Sequence, residues 1–292
     1  MAGCGSSEGR AQDRSAGPGP DGQDGQDGQN GQNGRRGEAV QPSTSVAREQ
    51  LVGHLDEWLQ SASFKDYGPN GLQVQGRERV FRLVSGVTAS RALIEAAIAA
   101  RADAVLVHHG LFWRGQDGRL TGWLGERVRL LMRHDINLIA YHLPLDAHPT
   151  HGNNARLGER LGLQADARFG EQQLGFIGAG APDALDALSR RVERALSRPP
   201  TVVEGDGRQL RRVAWCTGGA QGYFEAAIAA GADAFITGEI SEPQAHLARE
   251  TGVAFLACGH HATERYGAPA VAQAVAQHFG LHHEFIEVEN PA

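Results

Sequence analysis

The sequence predicts an α/β fold of two related, intertwined lobes with mixed sheets, and three observations predict it. The segment Glu95-Ala-Ala-Ile-Ala-Ala-Arg-Ala-Asp-Ala104 returns 130 positions later as Glu225-Ala-Ala-Ile-Ala-Ala-Gly-Ala-Asp-Ala234, with nine of ten residues identical. In both copies a strand-like apolar run precedes the helical segment and another follows it, an alternation that gives sheets with largely parallel neighbours. A further apolar run in each half, Ile136-Asn-Leu-Ile-Ala-Tyr-His142 and Val253-Ala-Phe-Leu-Ala-Cys-Gly-His260, ends in histidine. Polar residues at the ends of strands are where such folds place their chemistry.

The elements follow in order. Residues 1–45 form a Gly/Asp/Gln-rich tail, with Asp21-Gly-Gln-Asp-Gly-Gln-Asp-Gly-Gln-Asn30 and almost no large apolar side chains. A segment that buries so little apolar area cannot offset its ordering entropy, and it is expected to be disordered. It lacks the charged start and apolar run of a secretory signal, and Cys4 lacks the apolar stretch of a lipoprotein signal. No later segment is long and apolar enough to span a bilayer, so the expected location is cytoplasmic, away from membranes. The first lobe occupies 46–170, with a strand over 81–87, a helix over 90–101, a strand over 104–107 and a helix over 155–161. Residues 171–210 read as a connecting segment with a strand at 174–178, a helix from Pro182 to about residue 196, opened by that proline, and a strand at 201–204. The second lobe, 211–292, repeats strand, helix and strand over 212–217, 223–230 and 234–237, and adds an alanine-rich amphipathic helix at 269–279.

Composition narrows the function. A net charge of −6 and a pI near 6.1 disfavour nucleic acid as a partner, which needs a basic surface. Lys65, Arg77, Arg79 and Arg82 lie near one another in sequence, but a solvated face explains them as well. Cys4, Cys216 and Cys258 include no CxxC pair, so neither a disulfide framework nor a cysteine-built zinc site is indicated. Cys216 and Cys258 sit in apolar runs and read as inert buried thiols. Thirteen histidines against 28 Lys plus Arg point towards metal or proton chemistry.

Three segments concentrate that chemistry. His108-His109-Gly110 ends an apolar strand, where the glycine lets both imidazoles turn towards one site. His142-Leu-Pro-Leu-Asp146 follows the next strand, and Pro144 predicts a loop that aims an imidazole and a carboxylate outward. His148 and His151 read as supporting or surface residues. In Gly259-His260-His261-Ala-Thr-Glu264, a histidine and a glutamate four apart share one helix face, and His261 competes for the same role by spacing. Together they supply three or four imidazoles and two carboxylates, too many for one tetrahedral zinc and a natural set for two divalent ions about 3.5–4 Å apart. A nitrogen and oxygen shell without thiolate suits zinc, manganese, iron or nickel. His54, His134, His246, His278, His282 and His283 read as structural or exposed. The glycine cluster of residues 217–222 reads as a tight strand-to-helix turn, with backbone donors for a phosphate as the alternative.

These motifs resemble the GTP cyclohydrolase I type 2 homologue family of dinuclear-metal-centre hexameric proteins. The match rests on Asn70-Gly-Leu-Gln73, His108-His109-Gly110, Tyr141-His-Leu-Pro-Leu-Asp146, Gly218-Gly219, Thr237-Gly-Glu239 and Gly259-His260-His261-Ala-Thr-Glu264, and covers roughly 46–292. It implies two metal ions held by His108, His109, Asp146, His260 and Glu264, favouring His260 over His261. It places His142 beside the metals, in a supporting or proton-transfer role. Family members usually follow their Thr-Gly-Asp segment with Tyr-His, whereas Glu239 is followed here by Ile-Ser-Glu-Pro, leaving His246 as the available substitute. The resemblance further implies a toroidal homohexamer; members with a long inserted middle domain exist, and this chain has only a short connection. The expected activity is metal-dependent hydrolysis of a nucleotide or related small molecule by ion-activated water, with His142 or Glu239 moving the proton. The alternative is a non-catalytic metal-binding ring.

Overall fold

The aspartate that closes each copy of the repeat shows why both copies fold alike. In the computed structural model, which describes residues 44–180 and 184–292, Asp103 Oδ2 accepts the backbone N–H groups of Phe81 and Arg82, both at 2.8 Å. Asp233 Oδ2 accepts those of Arg211 and Arg212 at 2.8 and 2.9 Å. Each carboxylate thus ties the start of one strand to the start of the next. The one residue that differs between the copies falls where the backbone turns left-handed after the helix: Arg101 at φ 55° and Gly231 at φ 82°. The tail read over 1–45 lies outside the described residues except for 44 and 45.

The chain begins with β1 (Val46–Ala47), α1 (Arg48–Trp58), β2 (Gly71–Val74), β3 (Arg79–Val80) and β4 (Arg82–Thr88). The first repeat continues through α2 (Arg91–Ala99), β5 (Ala104–His109), α3 (Gly122–Arg133) and β6 (Asn137–Ala140). Then come α4 (Leu143–Ala147), α5 (Asn153–Arg160), β7 (Gln164–Phe169), β8 (Gly175–Ala179), α6 (Leu185–Leu196) and β9 (Thr201–Val203). The second repeat runs β10 (Val213–Trp215), α7 (Phe224–Ala229), β11 (Ala234–Thr237), α8 (Glu242–Thr251), β12 (Ala254–Ala257). The chain closes with α9 (His260–Glu264), α10 (Gly267–Phe279) and β13 (His282–Phe285).

Two mixed sheets result. The first has the order β13-β4-β5-β6-β2, parallel from β13 to β6 with β2 antiparallel at the edge; the second is β7-β8-β10-β11-β12-β9, parallel only across β10, β11 and β12. Period-two alternation fills both faces of each sheet. In the first, Leu83 and Leu106 pack with Leu51 and Leu55 of α1 and Val271 and Val275 of α10, while Val84, Val105 and Val107 pack with Leu93 of α2 and Leu131 of α3. In the second, Phe235 and Phe255 meet Phe224 of α7, while Trp215, Ile236 and Leu256 meet Leu157 of α5 and Leu188 and Val192 of α6.

Three differences from the sequence reading have physical reasons. Residues 171–210 are not a separate connector: β8 pairs with β10 and β9 with β12, and β7, assigned above to the first lobe, also joins the second sheet. In return β13 pairs with β4, so the C-terminus completes the first sheet. Pairing between strands distant in sequence decides this, and local periodicity does not carry it. Second, 143–147 is a short helix and not a loop, because Pro144 sits in the first turn, where its missing N–H is not needed. Third, α6 starts at Leu185 behind an extended Ala184, and Pro182, expected to open it, lies outside the described residues.

Asp103 is buried and Asp233 half-buried. Asp103→Ala should therefore cost about 2–4 kcal/mol in denaturant unfolding, by leaving two strand N–H groups without an acceptor. Asp233→Ala should cost less. Equal losses, or none, would show that these ties do not order the strands.

Candidate metal centre

Strand ends from both sheets converge on one buried carboxylate. β5 ends in His108 and His109, β6 leads to His142 and Asp146, and β12 leads to His260 and Glu264 on α9. Glu264 is 2% exposed, and its two oxygens address different neighbours. Oε1 lies 3.4 Å from His108 Nε2, while Oε2 lies 3.2 Å from His109 Nε2 and 3.1 Å from His260 Nε2. Asp146 Oδ1 stands 3.6 Å from His108 Nε2. Two groups that could hold a metal therefore share Glu264: His108 with Asp146, and His109 with His260. His142 forms a third group with His108 and His109.

The histidines are held by their other ring nitrogens. His108 Nδ1 lies 3.1 Å from Tyr141 O, and His109 Nδ1 3.2 Å from Thr88 Oγ1. His142 Nδ1 is 2.7 Å from Asp66 Oδ1, and His260 Nδ1 is 2.6 Å from Glu239 Oε1. Such outer partners orient imidazoles and favour one tautomer, here leaving the Nε2 atoms of His108, His109 and His260 towards Glu264. Asp66 is fixed in turn, accepting from Asn70 Nδ2 and Leu143 N at 2.9 Å each, and Asn70 Oδ1 accepts His142 N at 2.8 Å. Asp146 Oδ1 accepts from Asn153 Nδ2 at 2.9 Å and Thr217 Oγ1 at 3.2 Å. Asn154 Oδ1 accepts Thr217 N, and Asn154 Nδ2 donates to Asp146 O, bracing the same corner.

Charge and burial oppose each other throughout the cluster. Burial would depress His108, but Asp146 and Glu264 push it up to about 9. Burial likewise works against the charged form of His260, yet Glu264 and Glu239 raise it to about 9. Burial would raise Glu264, but His108 and His109 hold it well below the usual carboxylate range. Burial dominates at the other two, pushing Asp146 up and His109 down. Two buried carboxylates without a lysine or arginine partner among the described residues are costly.

The residues present fit divalent cations. His108 Nε2 and Glu264 Oε2 are buried without a hydrogen-bond partner, which is unusual for such atoms unless something else satisfies them. A cradle has also been left for Glu264: a Cβ at Gly218, φ +70°, would stand 1.8 Å from Glu264 Oε1. The donors are imidazole nitrogen and carboxylate oxygen; Cys216 and Cys258 are buried, with thiols pushed far up by burial. A cleft of about 610 Å³ opens onto His142, Asp146, His260 and Glu264.

All five ligands expected from the resemblance, together with His142, meet here. Glu239 touches the cluster through His260. His261 turns away to Glu287 at 2.7 Å, His148 and His151 pack against Trp58, and His246 lies on α8. Sequence reasoning missed Asp66, Thr88, Asn153, Asn154 and Thr217 as supports, since a lone polar residue near a turn carries no signal of its distant partner. The glycine cluster gives a turn: Gly218 N–H goes to Thr263 Oγ1 at 3.0 Å and is not free for a phosphate.

Comparison with known proteins gives one consistent result. The family described as Duf34/NIF3 (NGG1p interacting factor 3) matches residues 46–291. A GTP cyclohydrolase 1 type 2 homolog of Neisseria meningitidis serogroup A is 52% identical over 250 residues, 85% of this chain and all of that protein. Its counterpart in Pseudomonas aeruginosa is 48% identical over 252 residues, with the same coverage. Among solved structures, protein ybgI, of unknown function, aligns at TM-score 0.82 and 43% identity over 85% of this chain and 100% of its own. TTHA1606 from Thermus thermophilus aligns at 0.78 and 31%, again over 85% and 100%.

Gly218→Ala should remove about 2–4 kcal/mol of unfolding free energy from chelator-treated protein, through the left-handed backbone and the clash with Glu264. Unchanged stability would show that the turn can move away from Glu264.

Proposed function

The chain belongs to the Duf34/NIF3 family, and from that premise we propose that it is a dinuclear metal-dependent hydrolase acting on a nucleotide or related small molecule. The observation that carries this is the division of Glu264, with Oε1 towards His108 and Oε2 towards His109 and His260. His108 and Asp146 would hold one divalent ion and His109 and His260 the other, with Glu264 common to both. Zinc, manganese, iron and nickel all suit this donor set. Such ions supply Lewis acidity, which lowers the pKa of water and polarises a carbonyl, ring or phosphoryl centre.

The chain's own residues do the rest. Asn153 and Thr217 keep Asp146 turned into the site. Asp66 holds His142 at Nδ1, so its other ring nitrogen is the one available to take or give a proton at the cleft. Glu239, the other proton-transfer candidate, is engaged with His260 Nδ1 and is better placed to orient that ring. The cleft is of a size that suits a small molecule. The name shared by the relatives points to GTP as one substrate to test. We extend the proposal to the homohexamer implied by the resemblance. Among the described residues, no helix is long and apolar enough to cross a membrane.

Elemental analysis of protein purified without chelator should find near two ions per chain, with clear loss in Glu264→Ala. Asn153→Ala should retain the fold and bind metal about 10–100-fold more weakly. Turnover across a nucleotide panel should require the metal and vanish in Asp146→Ala; a fully active Asp146→Ala would overturn the assignment. Two ions with no turnover on any substrate would instead favour the non-catalytic ring. Light scattering should give a mass near six times 31.1 kDa, and a monomer would refute the hexamer.

A further inference from the structure

The 28 Lys plus Arg of this chain include a single lysine, Lys65. It lines the cleft above the candidate metal centre, together with Arg114. Of the four basic residues grouped by sequence, the structure sends Arg77 to Asp103 and Arg79 to Ser45, and only Lys65 faces this cleft. Among the described residues, neither Lys65 nor Arg114 is in an ion pair. Glu171 is the one acid on the cleft wall apart from Asp146 and Glu264 on its floor.

This rim is built. The side-chain amide of Gln172 clamps the Lys65 backbone, accepting Lys65 N at 2.8 Å and donating to Lys65 O at 3.2 Å. Gln172 reaches it from a left-handed backbone, φ 50° and ψ 20°, followed by Gln173 at φ 56°. Non-glycine residues in that region carry a cost, so two in succession mark a turn held by its surroundings. Arg114 is tied to the same segment, its N–H to Tyr67 O and its guanidinium to Asp66 O, both at 2.6 Å. Asp66 in turn holds His142. One short segment thus carries a cation for the cleft, a support for the second cation and the partner of the cleft's histidine.

Resting on the hydrolase reading, and narrowing its nucleotide or related small molecule to a phosphate-bearing one, we propose that Lys65 and Arg114 are the residues that hold the substrate's phosphate group. A carboxylate would be met by the planar fork of one arginine, whereas an ammonium and a guanidinium lining one cleft supply two charges for a dianion. In a chain of net charge −6 general attraction for anions is weak, so affinity must come from such local cations.

Calorimetric titration with inorganic phosphate, and separately with acetate, tests this on wild type, Lys65→Gln and Lys65→Arg, each as isolated and after chelator treatment. Lys65 is exposed, so neither variant should alter thermal melting or metal content. Phosphate should bind wild type and weaken roughly tenfold or more in Lys65→Gln, as expected for loss of a charged hydrogen bond. Lys65→Arg should fall between the two, and acetate should bind far more weakly than phosphate. Unchanged phosphate affinity in Lys65→Gln, or no phosphate binding by wild type in either form, would overturn the proposal, as would acetate bound equally well. Metal content measured on the same samples separates the two readings. Metal-free wild type would refute the hydrolase while a Lys65-dependent phosphate affinity in chelator-treated protein still supports the phosphate site.

Discussion

A carboxylate buried between two lobes and facing imidazoles, with no lysine or arginine paired to it among the described residues, is the constraint around which this protein is organised. Glu264 is 2% exposed and sits against His108, His109 and His260. Water cannot offset its desolvation there, so its neighbours must. That requirement explains a glycine at 218, where a side chain would strike the carboxylate, and a second bend at Gly238, whose N–H donates to Gly218 O at 2.8 Å. It also explains why both sheets aim the ends of their parallel strands at one place, since neither lobe alone carries all three imidazoles.

The outer contacts are as specific as the inner ones. Four imidazoles in the cluster are each engaged at Nδ1, by a carbonyl, a hydroxyl and two carboxylates. Imidazoles fixed in this way present donor atoms without first reorganising, which favours binding of a cation and holds a proton-transfer group at a set position. Asp66 shows how far the arrangement extends, because the same loop also carries Lys65 and is clamped by Gln172 from the opposite lobe. The segment over 171–210, which carries no chemical signal by itself, thereby contributes to the rim of the cleft.

The duplicated unit is scaffold, and its specialised ends form the candidate site. Asp103 and Asp233 perform the same strand tie in both copies. The residues after each copy have diverged, to Val107-His-His-Gly110 in the first and Thr237-Gly-Glu-Ile240 in the second. The first therefore supplies candidate ligands, while the second supplies the carboxylate that holds a ligand's ring. Exchange of β7 and β13 between the lobes locks this asymmetric pair together.

By itself, the sequence determined the α/β class, the duplication and the strand ends where histidines and acids gather, because hydrophobic periodicity and local punctuation are written into neighbouring residues. It also determined that Pro144 and the glycines would shape those ends, although a proline in a first turn gave a helix where a loop was expected. Only the tertiary structure decided that β8 and β9 complete the second sheet and that His261 turns to Glu287, while His260, which the resemblance favoured, faces Glu264. Spacing of three or four residues permits either histidine, and packing of α9 between the lobes makes the choice. Asp66, Thr88 and Asn153 could not be read in advance for the same reason. Each acts on a group that sequence leaves at a distance, 76 residues away in the case of Asp66 and His142, and only chain closure brings such partners within a hydrogen bond.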